Sequence, residues 1–475
     1  MSDEWLDLDK PHEACGVFGV YTTKQGLDVA NLTFLGLLGL QHRGQESAGI
    51  AVADGSRILC HKHMGLVRNV FKAEDMRALT GNSVVGHVRY STSGQSSLAN
   101  AQPLVARYSR GTIAVAHNGN LANAESLLGE LEMAGSVFQS TSDTEVILNM
   151  LAHYSRDTFS EALRKACGRM AGSYSIVMMS RDTLYGIRDP HGNRPLCIGQ
   201  MDEAYFLASE SAALTSIGAS FVRDVKPGEL ITIGRDGLRS EQLLPSPRHA
   251  FCAMEFIYFA RPDSVIEGRS VHEIRKELGR ELARANRIEA DVVIPVPDSG
   301  YSMAVGYAAE AGIPLDIGLV ANRYVGRTFI QPEQEMRRQG VTIKLSPVEA
   351  VLRGRSVVII DDSIVRGTTT SVLIKLLRVA GAKAVHMCIS SPPYINPCFY
   401  GIDVPGKKEL IASTHTVEEV RRYINADSLH YLTPERLTRA IGLNPDQLCL
   451  ACFTGEYPIE LPLENRDKNR LEKRG

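Results

Sequence analysis

A chain of 475 residues is too long for a single hydrophobic core, so two or more domains are expected, and 44% hydrophobic against 22% charged residues is the balance of a globular protein. A net charge of −2 gives no electrostatic reason to expect nucleic acid or an anionic membrane surface as partner, and no stretch approaches the ~18 unbroken apolar residues of a membrane span. The acidic start MSDEWLDLDKPHEA lacks the basic start and apolar run of a secretory signal, so a cytoplasmic address is the default; nine cysteines are too few, and odd in number, for a disulfide scaffold.

Over residues 84–233, short alternating runs between tight turns predict antiparallel strands: VVGHVRYS, TIAVAHNG, SYSIVMMS, TLYGIRD, YFLASES and ELITIG. Helical periodicity interrupts them at 144–154 and 159–167. This is an α+β pattern from about residue 15 to residue 243. After the break LLPSPRH the character changes. HEIRKELGRELARANR predicts a helix, DVVIPVP a strand, YSMAVGYAAEAG a helix, RSVVIIDD a strand, and SVLIKLLRVAG a helix ending at Gly381. Strand–helix alternation implies parallel strands in an α/β unit. The tail NRDKNRLEKRG is highly charged and is expected to fray.

The strongest single motif is VVIIDDSIVRGTTT, residues 357–370. An apolar strand runs into two acids, and a Gly- and Thr-rich loop then enters a helix. Asp361 and Asp362 can bind ribose hydroxyls or Mg²⁺ at the strand's end. The loop with Ser363, Arg366, Gly367, Thr368 and Thr369 can cradle a 5′-phosphate at the helix N-terminus. A DD pair alone is equally an ordinary capped turn. The whole segment resembles the ribose-phosphate signature of type I phosphoribosyltransferases. In the same comparison, VVIPVPDSG, ending at Gly300, looks like the family's pyrophosphate loop, with Ser299 at the position that contributes to Mg²⁺ binding. NRYVGRTFIQPEQEMRR looks like its mobile loop, with Arg323, Arg327, Arg337, Arg338 and Lys344 available to neutralise a diphosphate; the plainer alternative is a solvated basic face.

EACGVFGV, at residues 13–20, would be unremarkable with Cys15 internal. However, QHRGQESAGI, GHVRYSTSG, HNGN and SDTE follow it in the order found in glutaminase domains of N-terminal-nucleophile amidotransferases, which this half of the chain resembles. The resemblance implies removal of residues 1–14, freeing the α-amino group of Cys15, whose pKa of about 8 suits a local base. It further implies that the Asn118 side chain and the Gly119 N–H stabilise the oxyanion. Arg89 would hold the glutamine α-carboxylate and Asp143 its α-amino group. Without the resemblance, Arg89 is a surface ion pair and Asp143 a helix N-cap before TEVILNML.

LCLAC supplies a CxxC pair, Cys449 and Cys452, which alone can bind zinc, do redox work, or do neither. With Cys252 and Cys398 it resembles the ligand set of the iron–sulfur branch of the amidophosphoribosyltransferase family. Four thiolates can hold a [4Fe–4S] cluster or a tetrahedral zinc. Cys60, Cys167, Cys197 and Cys388 look like ordinary packed thiols.

The chain as a whole resembles amidophosphoribosyltransferases. The fold that this implies is an αββα N-terminal-nucleophile sandwich followed by an α/β type I phosphoribosyltransferase domain with a mostly parallel sheet. The expected divisions are a propeptide (1–14), a glutaminase domain (15–245), a phosphoribosyltransferase domain with a cluster-binding C-terminal segment (246–460) and a tail (461–475). The implied partners are glutamine, phosphoribosyl pyrophosphate and purine nucleotide inhibitors; the implied cofactors are one Mg²⁺ and one [4Fe–4S] cluster per subunit of a homotetramer. The rival is a non-catalytic regulator that binds phosphoribosyl pyrophosphate, but no helix-turn-helix extension or basic surface accompanies it.

Overall fold

The computed structural model describes residue 10 and residues 15–90, 96–322, 345–404 and 406–459. The strand Gly16–Thr22 (GVFGVYT) is buried along its whole length. It pairs antiparallel with Ser83–Arg89 on one side and Ala204–Ala208 on the other. Its sheet has seven strands, in the order Ser220–Asp224, Cys197–Met201, Ala204–Ala208, Gly16–Thr22, Ser83–Arg89, Ser47–Ala53 and Ile58–Met64. A second, six-stranded sheet runs Gly237–Gln242, Glu229–Gly234, Leu184–Arg188, Gly172–Met179, Gly111–Leu121 and Leu104–Tyr108.

The sheets face each other across Val17, Tyr21, Val85, Ala116, Val177 and Leu207. Helix Val29–Gly39 covers the outer face of the first sheet. Helices Ala124–Met133, Asp143–His153 and Phe159–Arg169 cover the second. The result is the expected αββα sandwich. The strands before residue 84 and helix Val29–Gly39 were not part of the sequence-based pattern. Gly16–Thr22 and Ser47–Ala53 are buried along their whole length, and a strand covered on both faces has no polar alternation to reveal it.

The second half contains a parallel four-stranded sheet in the order Val292–Pro295, Ser356–Asp361, Ala384–Ile389 and Ser428–Tyr431. Pro295 lies opposite Ile360. The loops that follow these two strands therefore emerge side by side at the sheet's carboxyl edge, where such folds bind ligands. Helix Val271–Ala285 is capped by Ser270 and packs on helix Tyr301–Ala311. A two-residue parallel bridge joins Phe251–Cys252 to Leu448–Cys449, tying the C-terminal segment back to the start of this half.

A fully buried ionic chain crosses between the two halves. Arg43 pairs with Glu210 and, at 2.5 Å, with Glu255; Arg194 reaches Glu255 at 3.3 Å. Burial works against ionising Glu210, but Arg43 and His42 more than compensate and hold its carboxyl well below the usual range. The Arg194 guanidinium also donates to the Tyr400 carbonyl, at 3.1 and 2.7 Å.

Candidate active site

Cys15 stands at the mouth of the sandwich, immediately before the central strand, and is 7% exposed. Gly16 lies opposite Val88, so the next position on each strand brings Cys15 to the neighbourhood of Arg89. The Cys15 thiol donates to the Tyr90 carbonyl at 3.4 Å. Burial pushes this thiol up to about 11, partly offset by the Tyr90 bond and the Arg89 charge; Glu46 and Asp143 act in the same direction as burial. These residues therefore surround one sulfur. Arg89 is almost wholly buried and faces Glu46 at 3.5 Å.

Asp143 begins helix Asp143–His153, but the N-cap is Ser142, whose side chain accepts from the Thr144 N–H. The N-cap alternative for Asp143 is thereby corrected: its carboxylate turns inward and accepts from the Leu121 N–H at 3.0 Å, with His117 Nδ1 at 3.5 Å. Burial disfavours the charge on Asp143, but His117 and the Leu121 N–H outweigh it and hold the carboxyl below its ordinary value.

Asn118 and Gly119 lie near the end of strand Gly111–Leu121. His87 of the facing sheet contacts the carbonyl of the preceding residue, His117, at 3.1 Å. Neither polar atom of the fully buried Asn118 carboxamide has a partner among the described residues. Two unpaired polar atoms in a core are costly, and they fit a group held ready for a ligand. Gly119 has φ 146°, and a Cβ there would meet the Ser173 carbonyl oxygen at 2.1 Å, so only glycine fits.

The second cluster occupies the edge of the parallel sheet. Asp361 ends its strand, and Asp362 follows it into the loop; both are buried. Ser299 Oγ donates to Asp361 at 3.2 Å, and Ser363 Oγ to Asp362 at 2.5 Å. Between the carboxylates sits the Lys10 ammonium, 2.6 Å from each. Burial pushes Asp361 up to about 7, with Asp362 adding and Lys10 opposing. Gly367 adopts a left-handed φ of 78° as the N-cap of helix Thr368–Val379, which opens with Thr368 and Thr369. Arg366 pairs with Glu409 at 2.6 Å. Arg323, Arg327, Arg337, Arg338 and Lys344 lie outside the described residues.

Among the described residues, no group of three or more His, Cys, Asp and Glu side chains is gathered tightly enough to hold a metal ion. Mg²⁺ needs fewer, because it typically takes one or two carboxylates and completes its shell with water and substrate phosphates. The Lys10 ammonium shows that a cation fits between Asp361 and Asp362.

Cys252, Cys398, Cys449 and Cys452 share one core, each 6–8% exposed. Cys252 and Cys449 are direct partners in the parallel bridge. Burial pushes the Cys449 thiol up to about 12 and raises Cys252 and Cys452 as well; neighbouring thiols of the same set add to all three. Burial, reinforced by the neighbouring thiols, therefore holds Cys252, Cys449 and Cys452 protonated. Cys167, Cys197 and Cys388 are buried among apolar neighbours, whereas Cys60 is exposed.

Several contributors lay inside quoted motifs without being singled out: Glu46 in QHRGQESAGI, Tyr90 in GHVRYSTSG and His117 in HNGN. Lys10 and residues 399–401 carried no signal, since their contacts span the chain.

Comparison with known proteins agrees with this arrangement. The glutamine amidotransferase domain family matches residues 87–216, and the phosphoribosyl transferase domain family matches residues 269–391. The amidophosphoribosyltransferase of Bacillus subtilis is 47% identical over 455 residues, covering 95% of each chain. That of Mycobacterium tuberculosis H37Rv is 48% identical over 480 residues, covering 98% of this chain and 90% of the relative. The solved B. subtilis glutamine phosphoribosylpyrophosphate amidotransferase, complexed with ADP and GMP, superposes with a TM-score of 0.90 at 46% identity, over 95% of this chain and 98% of that one. With a glutaminase-type sandwich and a phosphoribosyltransferase-type sheet joined in one chain, and this identity over nearly its whole length, the protein belongs to the amidophosphoribosyltransferase family.

Proposed function

We propose that the chain converts phosphoribosyl pyrophosphate, glutamine and water into 5-phosphoribosylamine, glutamate and pyrophosphate, the first committed step of purine nucleotide synthesis. The observation that carries the glutamine half is Asn118, whose buried carboxamide, near the end of strand Gly111–Leu121, has no partner among the described residues.

In this reading residues 1–14 are removed. The Cys15 α-amino group, with a pKa of about 8, then takes the proton from a thiol that burial otherwise holds protonated. The sulfur attacks the glutamine carboxamide carbon, the C–N bond breaks, and ammonia leaves with the transferred proton. Water hydrolyses the thioester. Asn118 and the Gly119 N–H stabilise the oxyanion in both steps. Arg89 holds the glutamine α-carboxylate and Asp143 its α-amino group.

Ammonia then passes within the protein to C1 of the ribose, since free ammonia would be protonated and lose its nucleophilicity. Ser363, Arg366, Gly367, Thr368 and Thr369 bind the ribose phosphate, and Arg327 and Lys344 the diphosphate. Asp361, Asp362 and Ser299 would hold Mg²⁺, which stabilises the leaving pyrophosphate. Cys252, Cys398, Cys449 and Cys452 would hold a [4Fe–4S] cluster as a staple of the C-terminal segment.

The working divisions are residues 15–245 and 246–460, with a tail from 461 to 475. A homotetramer, a cytoplasmic address and control by purine nucleotides complete the reading; the last is supported by the B. subtilis relative complexed with ADP and GMP. No described helix is long and apolar enough to cross a membrane.

The test is pyrophosphate release from phosphoribosyl pyrophosphate with Mg²⁺, under anaerobic conditions, comparing glutamine with ammonium. Release with both, and glutamate formed only with glutamine, is expected. No release with either, from folded and processed protein, overturns the reading.

A further inference from the structure

The strand that carries Asn118 and Gly119 is not held by its own half alone. Residues 399–401, from the second half, press on it from behind. Asn120 Nδ2 donates to the Phe399 carbonyl at 2.9 Å. Ser173, the register partner of Asn120, donates through its hydroxyl to the Tyr400 carbonyl at 2.6 Å. Arg194 donates to that same carbonyl, which thus receives two side chains of the first half. Gly401, at φ 90°, lies back to back with Gly119: a Cβ on Gly401 would stand 2.8 Å from the Gly119 carbonyl carbon and 3.1 Å from its Cα.

An oxyanion donor works only when held within about 0.5 Å of its productive position. Gly119 pairs with Tyr174 on one side, but the strand on its other side pairs only as far as Val115, and its φ lies in a region most residues avoid. The Phe399 and Tyr400 carbonyls and the close glycine contact brace it from outside. We infer that residues 399–401 form a positioning element for glutamine hydrolysis, fixing the peptide at Gly119 from the phosphoribosyltransferase half. The inference rests on reading Asn118 and Gly119 as the oxyanion donors. It makes the glutaminase site incomplete without the other half of the chain. It also puts Cys398, whose sulfur accepts from the Tyr400 N–H at 3.3 Å, at the base of the element.

The test uses full-length processed protein and two variants. Gly401→Ala pushes a methyl group against Gly119. Asn120→Asp keeps the shape of a half-buried side chain but replaces the amide donor to Phe399 with a carboxylate. For both, kcat for glutamine should fall about 10- to 100-fold with KM for glutamine changed less than about threefold, because the lost contacts act only in the transition state. Ammonia-dependent pyrophosphate release should stay within about twofold. If Gly401→Ala does not fold, Asn120→Asp decides alone. Unchanged kcat in folded variants, a shift in KM instead, or a parallel loss of the ammonia-dependent rate overturns the inference. Asn118→Leu separates the two levels: if it spares glutamine hydrolysis, the oxyanion reading fails; if it alone abolishes hydrolysis, only the positioning element fails.

Discussion

Replacing Asn118 by leucine should make the protein more stable and nearly inactive toward glutamine. Both polar atoms of the Asn118 carboxamide are buried without a partner among the described residues. Each such atom costs about 1–3 kcal/mol of desolvation that folding does not recover. Leucine has nearly the same shape and no polar atoms, so the substitution should recover about 1–3 kcal/mol, allowing for relaxation of one of the two atoms. Losing one oxyanion donor costs about 10²–10³ in kcat, or about 2.7–4 kcal/mol of transition-state stabilisation. Stability is read from the midpoint of thermal unfolding followed by circular dichroism, and activity from glutamate formation. A variant less stable by more than about 1 kcal/mol, or one that hydrolyses glutamine within about threefold of the parent, refutes the reasoning.

Cys15→Ala should abolish glutamine-dependent pyrophosphate release and spare the ammonia-dependent reaction; equal loss of both counts against two separate sites. Intact mass of active protein should correspond to a chain beginning at Cys15, and an active form retaining Met1 would be decisive against the expected cut. Burial pushes His87 down from 6.5 to about 3. The stability it contributes is therefore fully present above about pH 6.5 and is lost as pH falls toward 3, where the folded state must also take up the proton. His87→Gln should flatten that part of the stability–pH curve, and an unchanged slope would assign the loss to other groups. Protein prepared anaerobically should be brown, with about four iron and four sulfide per chain; colourless, iron-free anaerobic protein with full activity would remove the cluster from the account.

How much of this was readable beforehand follows from where each signal lies. VVIIDD announced itself because an apolar run ends abruptly in two acids, and the edge of the parallel sheet is where the structure places them. The helices at 143–153 and 159–169 were legible because each buries one face, and Thr158 with Glu161 forms a capping box. Gly16–Thr22 is central to the sandwich yet lacked alternation, since both its faces are covered. Arg194 and Tyr400 are 206 positions apart, and Lys10 and Asp361 are 351 apart; no local pattern encodes such contacts. Ser142 rather than Asp143 caps its helix, a choice between adjacent good cappers that only packing makes.

The buried Glu210–Arg43–Glu255–Arg194 chain limits how far the protein can be treated as two modules. Its four charges sum to zero only when both halves are present, because Glu255 belongs to one side while Arg43, Arg194 and Glu210 belong to the other. A fragment ending near residue 245 would keep two guanidinium groups and a single carboxylate of the chain. In the intact chain, where the site stays buried, removing the Glu255 carboxylate alone would cost about 3–5 kcal/mol, a large part of the stability of an ordinary domain. Grafting either half onto another partner would therefore require a matching counter-charge at the seam, and recombination between relatives would tolerate crossovers there only when Glu255 and its two arginines travel together.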